Sequence, residues 1–258
     1  MGRMALVVGH PGHELRVFGL LSLCRPTVHV ITDGSGSQGA SRLSSTDEIL
    51  KQAGATAGPL FGVMTDPEMY TAILEKRFSV FRNIAACLAD SFITDNIEVV
   101  AGDATEGFNP THDICRIIID AAVLMARRAT GKRIRNFEVR LTGWERKCVE
   151  QHDQRCVHFQ IGPELLRKKL DAARKYADLK DEVDRSLAHF GAAYFQVECL
   201  REVTRSFTPE SEDGKPFYES WGERQVAAGR YSSVIRLKEH IQPVRDDIAD
   251  YVEMGVCS

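Results

Sequence analysis

Apolar positions change texture several times along the first hundred residues. Ala5-Leu6-Val7-Val8 is an unbroken apolar run closed by Gly9, which predicts a strand buried on both faces. From Glu14 to Leu23 the apolar residues Leu15, Phe18, Leu20 and Leu21 return near helical spacing, and Pro26 stops that helix before Val28-His29-Val30-Ile31-Thr32 resumes a strand pattern. Strand, helix and strand at this spacing make a βαβ unit, whose strands run parallel. The segment from Asp33 to Gly39 is a glycine-rich loop at the carboxyl end of the second strand, the edge where open α/β sheets place their ligands.

Further along, Ser44-Ser45-Thr46-Asp47 offers N-cap residues for a helix through Ile49 and Leu50 that Gly54 closes. Pro67 opens a helical segment from Glu68 to about Leu88, and Ile97 to Val100 reads as a strand feeding a polar loop from Asp103 to Thr111. The next helix, Asp113 to Arg128, starts with a carboxylate that complements its dipole. Past Thr130 the pattern predicts strands at Asn136–Thr142 and Cys156–Ile161, then two long charged helices, Pro163 to about Ala177 and Leu179 to Glu202. A polar loop from Phe207 to Pro216 precedes a tail from Phe217 to Tyr251. The expected fold is α/β, a Rossmann-like three-layer sandwich with a mostly parallel sheet and a C-terminal helical extension. We read residues 1–258 as one domain, 1–130 carrying the core sheet and site loops and 131–258 the C-terminal strands, helices and a tail that closes the pocket.

Composition narrows the partners more than the fold. With a 43% hydrophobic and 27% charged chain of 258 residues, disordered and fibrous classes drop out. A net charge of -3 supplies no field to hold a polyanion, so nucleic acid is not an expected partner. The run Ala5–Val8 is too short for a secretory signal, and the longest apolar stretch, Ile117 to Met125, is interrupted by Asp120, so neither secretion nor a membrane is expected. Seven cysteines without a C-x-x-C pair fit reduced thiols and a cytoplasmic location. The expected partner is a small molecule; the oligomeric state is left open, a homo-oligomer included.

The chemistry concentrates in Gly9-His10-Pro11-Gly12-His13-Glu14, directly after the first strand. Two histidines three apart across a turn can aim at one point, and neutral imidazole is a common zinc ligand. A third, His112, stands in Asn109-Pro110-Thr111-His112-Asp113, again between a strand and a helix, with Asp33 and Glu14 nearby as partners able to orient an imidazole. Cys115 is a reserve ligand one turn on, although a buried cysteine is more often a small hydrophobe. No phosphate-binding or dinucleotide motif occurs in the expected place, and His152, Cys156 and His158 match no usual zinc spacing.

The order apolar strand, H-P-x-x-E, helix, strand, Thr32-Asp33-Gly34 and a later x-P-x-H resembles the LmbE-like (PIG-L) zinc-dependent de-N-acetylases. The resemblance covers residues 5 to about 54 and 98 to about 120. It implies His10, His13 and His112 as ligands of Zn2+ or another divalent transition metal, His13 standing where the family has an aspartate. It also places Arg42 where the family holds a substrate anion or sugar. Gly12 falls at the family's general-base position and cannot take a proton, and Asn109 replaces an oxyanion-stabilising histidine. Catalytic candidates are therefore Asn109 as oxyanion donor and Glu14, Asp33 or His240 for the proton, with Asp103 and Glu106 as further carboxylates.

In the tail, Glu219 and Arg230 are candidate substrate contacts; Phe217, Tyr218, Trp221 and Tyr231 have a composition suited to a pocket wall that stacks on a sugar or ring, and equally to packing the segment onto the core, which is the reading preferred. The implied activity is removal of an N-acetyl or related N-acyl group from an amino sugar or small amine conjugate. The alternatives are a relative that only binds a sugar or nucleotide-sugar, and one that performs a different metal-dependent acyl-transfer or lyase chemistry.

Overall fold

The computed structural model describes residues 2–36, 39–141, 154–176, 179–207 and 214–255. Ser37, Gln38, Thr142, His152, Ala177 and most of the 207–216 loop, all part of the sequence reading, lie outside the described residues.

In chain order the elements are β1 (Met4–Val8), α1 (Phe18–Cys24), β2 (Thr27–Thr32), α2 (Leu43–Ala53), β3 (Thr56–Met64), α3 (Asp66–Leu74), α4 (Phe78–Thr94), β4 (Val99–Asp103) and α5 (Pro110–Thr130). They continue with β5 (Arg135–Val139), β6 (Cys156–Gln160), α6 (Pro163–Lys175), α7 (Lys180–Phe190), β7 (Val197–Glu202), α8 (Phe217–Ala227) and α9 (Gln242–Glu253). A five-residue 3-10 turn, His13–Val17, leads into α1, and a π-helical turn, Leu237–Ile241, leads into α9.

The described strands form one seven-stranded sheet in the order β3-β2-β1-β4-β5-β7-β6. The first five are parallel, and β7 pairs antiparallel with both β5 and β6. The expected fold class is therefore present, with an antiparallel edge. Every residue of β1 is buried, and its side chains alternate between two cores: Ala5 and Val7 pack with α4, α5 and α9, while Leu6 and Val8 pack with α1, α2 and α6. A strand covered by helices on both faces has no polar positions to offer, which is why it reads as a continuous apolar run.

Thr56–Met64, which carries Gly58, Pro59 and Gly62 and for which the sequence predicts no element, is the edge strand β3; proline is tolerated there because an edge N–H needs no ladder partner. Two expectations change. The single helix expected from Glu68 to Leu88 is split into α3 and α4 at Lys76, whose φ is +54°. The helix expected from Leu179 to Glu202 ends at Phe190 against Gly191 (φ +76°), and its last part is strand β7.

The C-terminal elements brace the turn after β1. Buried Glu198 of β7 accepts the Gly19 and Leu20 amides of α1 at 2.8 and 3.0 Å, and it is paired at 2.9 Å with Lys169 of α6. None of the described helices is long and apolar enough to cross a membrane. Cys156 is disulfide-bonded, which corrects the expectation of reduced thiols throughout.

Candidate metal centre

In the strand order, the chain leaves β1 toward β2 on one side and returns to β4 on the other. The connections diverge between β1 and β4, and this crevice at the carboxyl ends is where doubly wound sheets bind ligands. His10 and His13 follow β1, Asp103 ends β4, and His112 is the third residue of α5, the helix after β4. The three imidazoles meet there, with ring centroids 5.3 Å apart for His10–His13, 5.3 Å for His10–His112 and 4.5 Å for His13–His112. Rings sharing one tetrahedral ion, with metal–nitrogen bonds of about 2.1 Å, would have centroids roughly 5 Å apart.

Hydrogen bonds orient two of the rings. His10 Nδ1 lies 3.0 Å from Asp66 Oδ1 and 2.9 Å from Thr32 Oγ1, and the Thr32 hydroxyl is itself spent on Gly9 O at 2.9 Å. His13 Nδ1 lies 2.9 Å from Asp103 Oδ2, which also accepts the Gly9 amide at 2.7 Å. A carboxylate only accepts, so Nδ1 carries the proton in both rings and the Nε2 lone pairs are left for another partner. His10 Nε2 and His112 Nδ1 are buried with no hydrogen-bond partner. Buried polar atoms of this kind are costly unless something binds them, and the donor set suits a divalent transition metal.

Electrostatics favours the same state. Burial, then the neighbouring His13, pushes His112 well below the usual imidazole range, so it stays neutral and able to donate a lone pair. Burial alone would raise Asp103 and Asp66, but the hydrogen bonds and charge of His13 and His10 outweigh it, and both carboxyls sit below their ordinary range. His10 and His13 are thus each backed by an ionised carboxylate, an arrangement that fixes the tautomer of a metal ligand. Asp103 was among the sequence candidates, although as a proton carrier. Asp66 and its companion Tyr70 were missed.

The other candidates fall in several places. Asn109 caps α5: its Oδ1 accepts the Thr111 amide at 2.8 Å, leaving Nδ2 turned toward the Tyr70 hydroxyl at 3.5 Å. Glu14 is buried, with one oxygen accepting the Gly12 amide and the other the Tyr176 hydroxyl, both at 2.7 Å; it locks the turn, and burial raises its pKa. Asp33 accepts the Ser35 amide at 2.9 Å, and Arg42 Nε donates to Gly34 O at 2.6 Å, so these two shape the glycine loop. The partners expected for the histidines, Asp33 and Glu14, are therefore replaced by Asp66 and Asp103. Cys115 lies in the core cluster behind α5, where burial pushes its thiol far up and keeps it protonated.

Gly12 has φ +106°, and a Cβ there would lie 2.7 Å from Leu179 Cδ1. The space in which a general base would stand is filled by a leucine. His240 belongs to the π-helical turn, where its Nδ1 accepts the Arg236 amide at 2.9 Å, and its charged neighbours are Glu239, Lys76 and Arg236. Glu219 accepts the Leu237 amide at 2.7 Å, tying α8 to that turn.

A cavity of about 630 Å³ is lined by Tyr70, Phe108, Asn109, Phe217, Trp221, Arg230 and other residues, among them Pro110 at the start of α5, two residues before His112. The Phe108 ring is 6.5 Å from that of His112. Of the tail aromatics expected in the core, only Tyr218 is buried; Phe217, Trp221 and Tyr231 are 47%, 45% and 48% exposed. A separate group of donor atoms, from Cys156, His158 and Cys199, lies within 4.8 Å on β6 and β7, but the disulfide removes the Cys156 thiolate.

No family model and no curated protein matches the sequence. Among solved structures, the conserved protein TT1542 from Thermus thermophilus matches with a TM-score of 0.52 and 18% identity over 82% of this chain and 97% of that one. The likeness shows the fold. Two further structures are similar: the zinc-inhibited form of teicoplanin deacetylase Orf2, with a TM-score of 0.48 and 11% identity over 82% of this chain and 100% of the other, and the A40926 pseudoaglycone deacetylase Dbv21, with a TM-score of 0.49 and 17% identity over 81% and 99%.

Proposed function

We propose that the chain is a divalent-metal-dependent amide hydrolase that removes an acyl group from an N-acylated amine. The carrying observation is the histidine cluster: two imidazoles whose Nδ1 atoms are pinned by Asp66 and Asp103, a third on the facing helix, and buried nitrogens with no partner between them. His10, His13 and His112 would hold the ion, zinc being the first choice for three imidazoles. Bound there, it would supply a Lewis acid and an activated water at neutral pH.

The rest is done by the chain's own groups. Asn109 Nδ2, whose partner is the Tyr70 hydroxyl at 3.5 Å, would donate to the amide carbonyl oxygen as negative charge develops; its Oδ1 is committed to the helix cap, so the amino group is the end available. Asp66 and Asp103 hold the imidazoles of His10 and His13 in one tautomer, and the aromatic cavity at the start of α5 would receive the substrate body. A protein of altered chemistry, or one that only binds, is the second reading. Gly12 favours it, because loss of general acid–base help typically costs about 10²–10⁴-fold.

The test is release of free amine from a panel of N-acyl compounds by zinc-loaded protein, beside His112→Ala and Asn109→Ala. The hydrolase reading expects turnover that disappears in the first variant and falls roughly 10²-fold in the second. Zinc-loaded protein that binds the compounds and releases no amine would favour the binding reading.

A further inference from the structure

We propose that the cavity beside the histidine cluster selects N-acyl compounds with a flat apolar body and one carboxylate, rather than free amino sugars. The inference rests on the hydrolase reading and names its substrate class. Phe108, Phe217, Trp221 and Tyr231 are each 45–48% exposed, yet all four line the same cavity. Half-exposed aromatic rings scattered singly need no explanation; a contiguous set facing one hollow is a binding surface.

The rings are held in place. Phe108 and Phe217 stack with centroids 5.1 Å apart, Trp221 follows at 6.2 Å, and the Arg224 guanidinium lies 5.9 and 5.5 Å from the Phe217 and Trp221 rings. A volume of about 630 Å³ far exceeds what an acetyl group fills and falls within the usual range for whole small ligands.

Charge narrows the choice. Among the described residues lining the cavity, Arg230 is the one charged side chain, and none carries a carboxylate. A hexosamine offers several hydroxyls, each needing a donor and an acceptor; besides Arg230 the described lining offers Asn109, Ser232, Ser233 and the hydroxyls of Tyr70, Tyr218 and Tyr231, of which the Tyr70 hydroxyl already meets Asn109 Nδ2 at 3.5 Å. Leaving sugar hydroxyls unpaired against aromatic walls costs affinity for each one. An aryl group against the rings with a carboxylate on Arg230 brings no hydroxyl that needs a partner. Arg230 Nη1 is steadied by Gln225 Oε1 at 3.2 Å, and guanidinium pairs well with a planar carboxylate. Phe108 and Asn109 mark the end of the cavity nearest the histidines, the Phe108 ring lying 6.5 Å from that of His112, so the amide would lie at that end.

The experiment is calorimetric binding of N-benzoylglycine, its methyl ester and N-acetylglucosamine to chelator-treated full-length protein. N-benzoylglycine should bind with Kd at or below about 1 mM. Removing its charge as the ester, or replacing Arg230 by glutamine, should weaken binding about tenfold each, as expected for a charged hydrogen bond. Trp221→Ala should weaken it as well, and melting curves confirm that both variants fold. N-acetylglucosamine binding more tightly than N-benzoylglycine, or unchanged affinity in Arg230→Gln, would overturn the proposal. The measurement needs neither metal nor turnover, so its failure is separable from failure of the hydrolase reading.

Discussion

His29 shows how far a single side chain can be read. Placed inside β2, it has both ring nitrogens buried without partners, rests against Phe92 at 6.1 Å, and occupies room that exists only because residue 58 is glycine. Burial pushes its pKa down to about 4, with Asp95 opposing only weakly. The folded state therefore disfavours the proton, so the stability this residue contributes is present above pH 6.5 and is lost as pH falls toward 4. By linkage the loss reaches about 3 kcal/mol. Urea unfolding at several pH values should show that slope, and His29→Leu should flatten it; an unchanged slope would mean that the ring binds its proton as readily in the native protein as in the unfolded chain. His29 was legible as a packing residue because it lies within a strand pattern. That His10, His13 and His112 could converge was legible because each sits at a strand-to-helix junction on the same edge of the sheet. Asp66 was not: it follows a strand that the sequence conceals, and a lone Asp-Pro reads as a turn.

At the scale of elements, the turn after β1 depends on α6 and the segment behind it. Tyr176 bonds Glu14, Lys169 reaches the Arg16 carbonyl at 3.0 Å, and Leu179 fills the space over Gly12. Gly12→Asp would therefore not restore a general base. It would force an L-residue to φ +106° and drive its Cβ into Leu179, costing about 1–3 kcal/mol. We expect a lower melting temperature with no gain in amide turnover, and a variant that melts normally and turns over faster would contradict this packing. Long, strongly periodic segments such as α5 were readable. What escaped were breaks written in backbone conformation: Lys76 divides α3 from α4 with no proline or glycine to announce it, and β7 continues helical-looking spacing after Gly191. The edge strand β3 was masked by Gly58, Pro59 and Gly62, which its position at the sheet margin tolerates.

For the whole molecule, the parallel order on either side of β1 brings together residues distant in sequence: two histidines after β1, an aspartate ending β4 and another following β3, and a histidine opening α5. The sheet class was legible because apolar runs and helical spacings alternate regularly. The aromatic cavity was legible only as one of two readings, because Phe217, Trp221 and Tyr231 have a composition that suits a pocket wall and a core segment alike, and only packing decides that Tyr218 is buried while its neighbours stay half exposed around the hollow. The proposed chemistry requires a metal ion at the histidine cluster. An anomalous difference map at the zinc edge, from crystals grown with zinc, tests it directly. We predict a peak bonded to His10 Nε2, His13 Nε2 and a ring nitrogen of His112 at about 2.1 Å, with Nδ1 of the first two still on Asp66 and Asp103. A map with no peak among the three rings, or with zinc only at Cys156, His158 and Cys199, would contradict it.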